Sequence, residues 1–191
     1  MTEQQPYDVV AQHPGFELRR YPSYAVAEIT VDGTFERAGN QAFRDLAGYI
    51  GGRNAGGTKV QMTAPVLQET PSRTAMTAKV LQQASDDLGR FVVAFVLPAG
   101  YTADRAPAPS NSRVRIRQVE EQLAAARRAP GRWTREAYQD AETKLRASVE
   151  AAGFTISGPC RYARFDPPWK QFFLRRNEVV APVQARGTET G

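Results

Sequence analysis

Two sites in the chain carry the same short pattern: Gly33-Thr34-Phe35 and Gly131-Arg132-Trp133, 98 positions apart (33 to 131, 35 to 133). Each opens a stretch whose apolar residues recur at three- and four-residue steps, the mark of a helix with one apolar stripe. The first stripe is Phe35, Ala38, Ala42, Phe43, Leu46, Tyr49 and Ile50, ended by Gly51-Gly52. The second is Trp133, Ala137, Tyr138, Ala141, Leu145, Val149 and Ala152, ended by Gly153. A unit that occurs twice restricts the fold sharply. One helix over a small sheet leaves open strand edges, and pairing two such units covers them.

The flanking segments predict strands. Residues 16–21 and 24–31 precede the first helix, separated by Pro22-Ser23. Residues 59–68 follow it, with Val60, Met62, Ala64 and Val66 on one face, and residues 91–97 form a nearly continuous apolar run, hence a buried strand. Residues 74–83 fit either a hairpin arm or a loop. Residues 98–112 are rich in Pro, Ala, Ser and Asn and read as a linker. The pattern then restarts with an alternating strand at 113–117 and further strands at 160–165 and 172–183. Residues 120–128, EEQLAAARR, have the strongest helix propensity in the chain. They occupy the place that residues 24–31 hold in the first unit, so the repeat predicts a strand there. The expected fold is α+β: one domain over residues 1–191, built from two pseudo-symmetric ββαββ halves. The halves are about 7–98 and 113–183, joined by a linker at 99–112 and followed by a polar tail at 184–191.

Composition fits a soluble globular protein, with 41% hydrophobic and 24% charged residues. No apolar run approaches a membrane span, and the polar N-terminal stretch has no signal-like core, so a cytoplasmic location is expected. The single cysteine, Cys160, excludes an internal disulfide. A net charge of +5 is spread along strands and helix faces rather than gathered in a basic arm. That argues for a solvated basic surface and against nucleic acid.

Few residues suggest chemistry. His13, the only histidine, lies in the polar N-terminal stretch and reads as idle, or as a ligand on a mobile arm. Cys160 reads as a small buried hydrophobe. The loop GGRNAGGTK at 51–59 resembles a phosphate loop but runs from helix to strand, with its Thr-Lys in the wrong order. Arg176 and Glu178 are two apart in a strand, so a same-face ion pair is expected. No catalytic set and no metal cluster is visible. The remaining candidate is the run from Arg164 to Val179, where Pro167-Pro168 is followed at once by Trp169, Lys170, Phe172 and Phe173. Aromatics beside a rigid corner suit either packing on the other half or the lip of an apolar surface.

Several words in the chain resemble the SOUL/heme-binding protein family. They include Tyr7-Asp8-Val9-Val10, residues 16–21 (FELRRY), Ala38-Gly39-Asn40 with Phe43, and Leu46 with Tyr49-Ile50. They continue with residues 59–66 (KVQMTAPV), residues 95–98 (FVLP), and Phe165-Asp166-Pro167-Pro168-Trp169 through Glu178-Val179. The resemblance implies a distorted eight-stranded antiparallel β-barrel flanked by two helices, and relatives among GyrI-like drug-binding domains. It also implies non-covalent binding of heme or a related tetrapyrrole in a shallow groove between the first helix and the Pro-Pro segment. The resemblance implies Phe43 and Ala47 as apolar groove positions and Lys170 as a retained cation. Read beside it, Trp169 and Phe172 add apolar contact and Arg44 a further cation, so the candidate ligand-binding residues are Phe43, Arg44, Ala47, Trp169, Lys170 and Phe172. Arg20 stands where some members place an axial histidine, so this chain resembles members that bind heme with no fixed axial ligand. Basic groups that meet the propionates in one relative are here Asn40 and Gly48, while Lys170 is retained and Arg53 is a further candidate cation. The expected role is a carrier or buffer for a small hydrophobic or amphipathic ligand rather than a catalyst. The alternatives are a sensor of other amphipathic aromatics, as in the GyrI-like domains, or an enzyme using Glu178 or Tyr49.

Overall fold

The computed structural model describes residues 3–70, 89–166, 171 and 175–186. Its strands are β1 (Glu3–Gln4), β2 (Asp8–His13), β3 (Phe16–Tyr21), β4 (Tyr24–Gly33), β5 (Thr63–Ala64), β6 (Val66–Glu69), β7 (Gly89–Val96), β8 (Arg115–Val119), β9 (Gln122–Arg128), β10 (Phe154–Ile156), β11 (Arg161–Arg164) and β12 (Asn177–Ala185). Helix α1 spans Phe35–Ile50 and α2 spans Arg135–Ala151. No helix among the described residues is long and apolar enough to cross a membrane.

Ten strands form one antiparallel sheet in the order β2-β3-β9-β12-β11-β6-β7-β4-β8, with β10 beside β12. β1 and β5 make a separate parallel pair. The α+β architecture is therefore as expected, but the ladder does not close: among the described residues β2 and β8 are its free ends. The sheet also holds two strands more than the eight expected, β2 and β10. Sequence reading passed over β2 because an edge strand shows no clean alternation: its Val9 and Val10 lie half exposed. β10 has only three residues.

Side chains alternate between the two sheet faces. One face, with Leu18, Ile29, Val93, Phe95, Tyr162 and Val179, is covered by both helices. The opposite face carries Tyr21, Tyr24, Val26, Leu67, Ala163 and Val180, with Tyr7 and Phe165 packed at its rim. The segment at 120–128 is a strand from Gln122, despite its propensity. Ala124, Ala125 and Ala126 are all buried, paired between β3 and β12, so both faces of β9 are covered. Tertiary pairing of small side chains outweighs a local preference worth only tenths of a kcal/mol per residue, on the order of 0.5.

Two expectations need correction. Residues 59–68 are not one strand: residues 59–62 lie outside any strand, and Pro65, after a cis peptide bond, separates β5 from β6. A proline lacks the N–H that a continuous ladder needs. Val60, Met62 and Val66 still pack on the helix-covered face. Trp133 is not in the second helix, which starts after Thr134, whose hydroxyl accepts from the Ala137 amide at 3.3 Å. Gly131 takes a positive φ of 109°, which favours glycine at this opening turn. Residues 74–83 lie outside the described residues.

The loop after α1 is held by one side chain. Asn54 donates to the carbonyls of Tyr49 and Thr58 at 2.8 and 2.7 Å and accepts from the Thr58 amide at 2.9 Å. It runs from helix to strand, so it does not meet the geometry of a phosphate loop. The segment at 98–112 folds back onto it: the Ala55 amide donates to Ala108, and the Tyr49 hydroxyl donates to Pro107 at 2.9 Å.

Candidate functional site

Helix α1 packs its buried stripe on β4 and β7. Residues four apart lie along one flank of a helix, and here that row is Gly39, Phe43 and Ala47. Phe43 is 48% exposed and stands edge-on to the buried Phe95, with ring centroids 5.7 Å apart. Ala47 is half-buried and Arg44 is exposed. The flank thus presents an aromatic ring seated on the core but open to a ligand. Trp169, Lys170 and Phe172 lie outside the described residues.

Two glycines let cations from elsewhere lie against α1. A side chain on Gly48 would come within 3.2 Å of Arg53 Cδ, so Arg53 lies against the helix. A side chain on Gly39 would meet Arg164 Nη1 at 2.8 Å. Arg164 comes from β11 and its guanidinium lies over the Trp133 ring, 4.0 Å from the centroid. Burial, and then the charge of Arg175, hold its pKa below the usual arginine value. Sequence reading missed Arg164, although an unexplained glycine in a helix interior, costing about 1 kcal/mol, was the available signal.

At the pseudo-repeat itself, Phe35 stacks on Trp133 at 5.5 Å and on Tyr138 at 5.3 Å, while Trp133 lies 4.2 Å from Tyr162. The two aromatics that mark the repeated pattern are therefore in contact, and Phe35 also lines, with Phe91, Arg135, Tyr138 and Cys160, an open concavity of about 510 Å³.

The other candidates take structural places. Arg176 and Glu178 do pair, at 2.9 Å, and Glu178 is fully buried. It also takes two bonds from Arg19, at 2.6 and 3.2 Å, and Arg19 in turn holds Glu17 at 2.6 Å. Tyr7 lies under Arg19 and accepts from Arg176. Two acids and two arginines balance in this network, which leaves no lone charge to act as acid or base. His13 belongs to β2, stacked on Phe16 at 4.7 Å and edge-on to Phe154, rather than on a mobile arm. Cys160 is buried, and burial followed by the nearby Glu142 pushes its thiol up to about 12. Arg20 is exposed on β3. Among the described residues no group of His, Cys, Asp and Glu is placed to hold a metal ion.

The opposite sheet face has a tyrosine-lined concavity formed by Tyr7, Tyr21, Tyr24, Phe165 and Arg161. Its free volume is about 10 Å³, room for about one water. The Arg161 guanidinium donates to the Tyr24 hydroxyl there, and Gln5 closes the edge.

A large antiparallel sheet carrying two helices on one face, with an exposed aromatic ring on the first helix, defines an α+β domain. The chain belongs to the SOUL heme-binding protein family, whose profile matches residues 2–182. Among solved structures it is similar to the EcmrR C-terminal domain, at 11% identity and a TM-score of 0.65, over 94% of this chain and 98% of that one. It is also similar to a hydrolase from Listeria innocua, at 15% identity and a TM-score of 0.56, over 92% and 94% of the two chains. A conserved protein of uncharacterized role from the same organism matches at 12% identity and a TM-score of 0.58, over 95% and 94%. These likenesses establish the fold. No curated protein matches the sequence.

Proposed function

We propose that this protein binds heme or a related tetrapyrrole non-covalently along the exposed flank of α1, as a carrier or buffer. The observation that carries this is Phe43: a large ring anchored on Phe95 yet half open, beside the half-buried Ala47 and Arg44. A flat apolar ligand needs such a face with a few cations at its edge, and Arg44 and Arg164 are in place on or against the helix. Trp169, Lys170 and Phe172 complete the site in this reading. Heme would be held by these contacts without a protein ligand to iron, since His13 is stacked between aromatics and the Cys160 thiol is buried.

The architecture fits two halves within one domain. Exchanging β3 with β8, β4 with β9, β6 with β11 and β7 with β12 leaves the order of these eight strands unchanged when read from its other end. We read the halves at 7–98 and 113–183 with the linker at 99–112; of the expected tail at 184–191, Gln184 and Ala185 instead belong to β12 and pair with β10.

The alternative is a binder or sensor of other amphipathic aromatic ligands, as in the GyrI-like drug-binding domains. The enzyme reading loses its candidates. Glu178 is bound by two arginines, Tyr49 donates to Pro107, and neither lines the α1 flank. Titration of the purified protein with hemin tests the proposal. A saturable Soret shift is expected, with hydrophobic cationic dyes failing to compete. The absence of any saturable shift, or displacement of hemin by those dyes, would overturn it.

A further inference from the structure

Unsatisfied buried polar atoms concentrate around one arginine. Among the described residues, Gln68 Oε1, Tyr162 Oη and Trp133 Nε1 are buried and lack any hydrogen-bond partner. Gln68 is 1% exposed, Tyr162 0% and Trp133 9%. These three belong together. Tyr162 and Gln68 are direct cross-strand partners in the β11–β6 ladder, and Arg164 follows two residues on, so it shares their face. The Trp133 ring contacts both Tyr162 and Arg164. Gln68 Oε1 lies 3.6 Å, and Arg164 Nη1 2.8 Å, from the same point, where a side chain on Gly39 would sit. Among the described residues no carboxylate pairs with Arg164.

An orphaned buried polar group is destabilising, and native proteins rarely leave several in one place without a bound species to satisfy them. The species can be read from the groups. A guanidinium, an indole N–H and a phenolic O–H all donate, and the guanidinium carries a full positive charge. The donors call for an oxyanion, and a planar carboxylate fits a guanidinium fork in a bidentate fashion. The single acceptor, Gln68 Oε1, is fixed in orientation because its amide nitrogen donates to the Phe35 carbonyl at 2.9 Å. It can receive an arginine N–H that the carboxylate leaves free.

We propose that Arg164, with Trp133 and Tyr162, forms a carboxylate-binding subsite at the N-terminal half of α1. Gly39, Phe43 and Ala47 lie on one flank of the helix, so the subsite stands at the end of the apolar row. It deepens the proposed function, on which it rests only for the apolar body of the ligand, and places an acid arm of that ligand on Arg164. The Arg164 guanidinium, held down by burial and by Arg175, gains a counter-ion in the process.

The test uses benzoate alone as a probe, followed by NMR of the ¹⁵N-labelled full chain. The two indole N–H signals are assigned with Trp169→Phe. The Trp133 signal should move saturably with benzoate and not with matched chloride. Arg164→Gln should weaken the response about tenfold, the effect of one lost charged hydrogen bond, and Arg164→Lys should recover part of it. A Trp133 signal indifferent to benzoate, or an unchanged response in Arg164→Gln, would overturn the subsite. A hemin titration of the wild type beside the benzoate titration separates the two claims. If hemin still binds wild type while benzoate does not move Trp133, the subsite falls and the groove stands.

Discussion

Glu178 and Cys160 show how single residues constrain what the protein does. Glu178 is buried between Arg19 and Arg176, and removing its charge takes the carboxylate from Arg176 and leaves Arg19 with Glu17. Glu178→Gln should cost about 3–5 kcal/mol of stability, the usual penalty for breaking a buried ion pair from one side, read as a fall in the urea midpoint with an unchanged slope. Cys160, with its thiol pushed up to about 12 by burial and Glu142, should resist alkylation at mildly alkaline pH until the protein unfolds. Rapid labelling of the native protein would contradict its placement. Glu69 is a third case. Burial raises its pKa against the opposing charges of Arg161 and Arg117. The folded state therefore holds more protons than the unfolded chain just above the ordinary carboxylate range, so this contribution to stability declines as pH rises there. Glu69→Gln should lose that decline, and its urea midpoint relative to wild type should rise from acid to neutral pH.

Elements show which features a linear pattern carries. The helix stripes and the strands at 16–21 and 24–31 were legible because their periods of 3.6 and 2 are set by burial on one side. β9 was legible only through the repeat, since Ala124, Ala125 and Ala126 by themselves favour helix. Ala125→Leu should cost about 1–3 kcal/mol through overpacking between the sheet and α2, whereas the same residue on an exposed helix would be tolerated. The two helices also differ at their starts. Thr134 caps α2 through its side chain, while Thr34 makes no such bond to α1. Thr134→Ala should cost about 1 kcal/mol and Thr34→Ala clearly less, by denaturant unfolding. The candidate subsite was not legible at this scale. Gln68, Trp133 and Arg164 come from β6, the segment before α2, and β11, and only the register of β6 against β11 assembles them. A sequence word could point to Gly39 but not to the guanidinium that lies over it.

At the scale of the whole molecule, the two helices frame the proposed site. Two helices cover one sheet face, and Phe35 and Trp133, the paired markers of the repeat, stack where the helices open. The outer flank of α1 presents the half-exposed Phe43, while the tyrosine-lined opposite face is filled by its own side chains. The central claim is that a tetrapyrrole lies on that flank with an acid arm toward Arg164. Ferric heme supplies its own probe, because the paramagnetic iron broadens nearby amide signals. Added hemin should erase signals around Gly39, Phe43 and Ala47 and perturb Arg164, while Tyr7, Tyr21 and Tyr24 on the opposite face stay sharp. Broadening centred on those tyrosines, with the α1 flank untouched, would contradict the account.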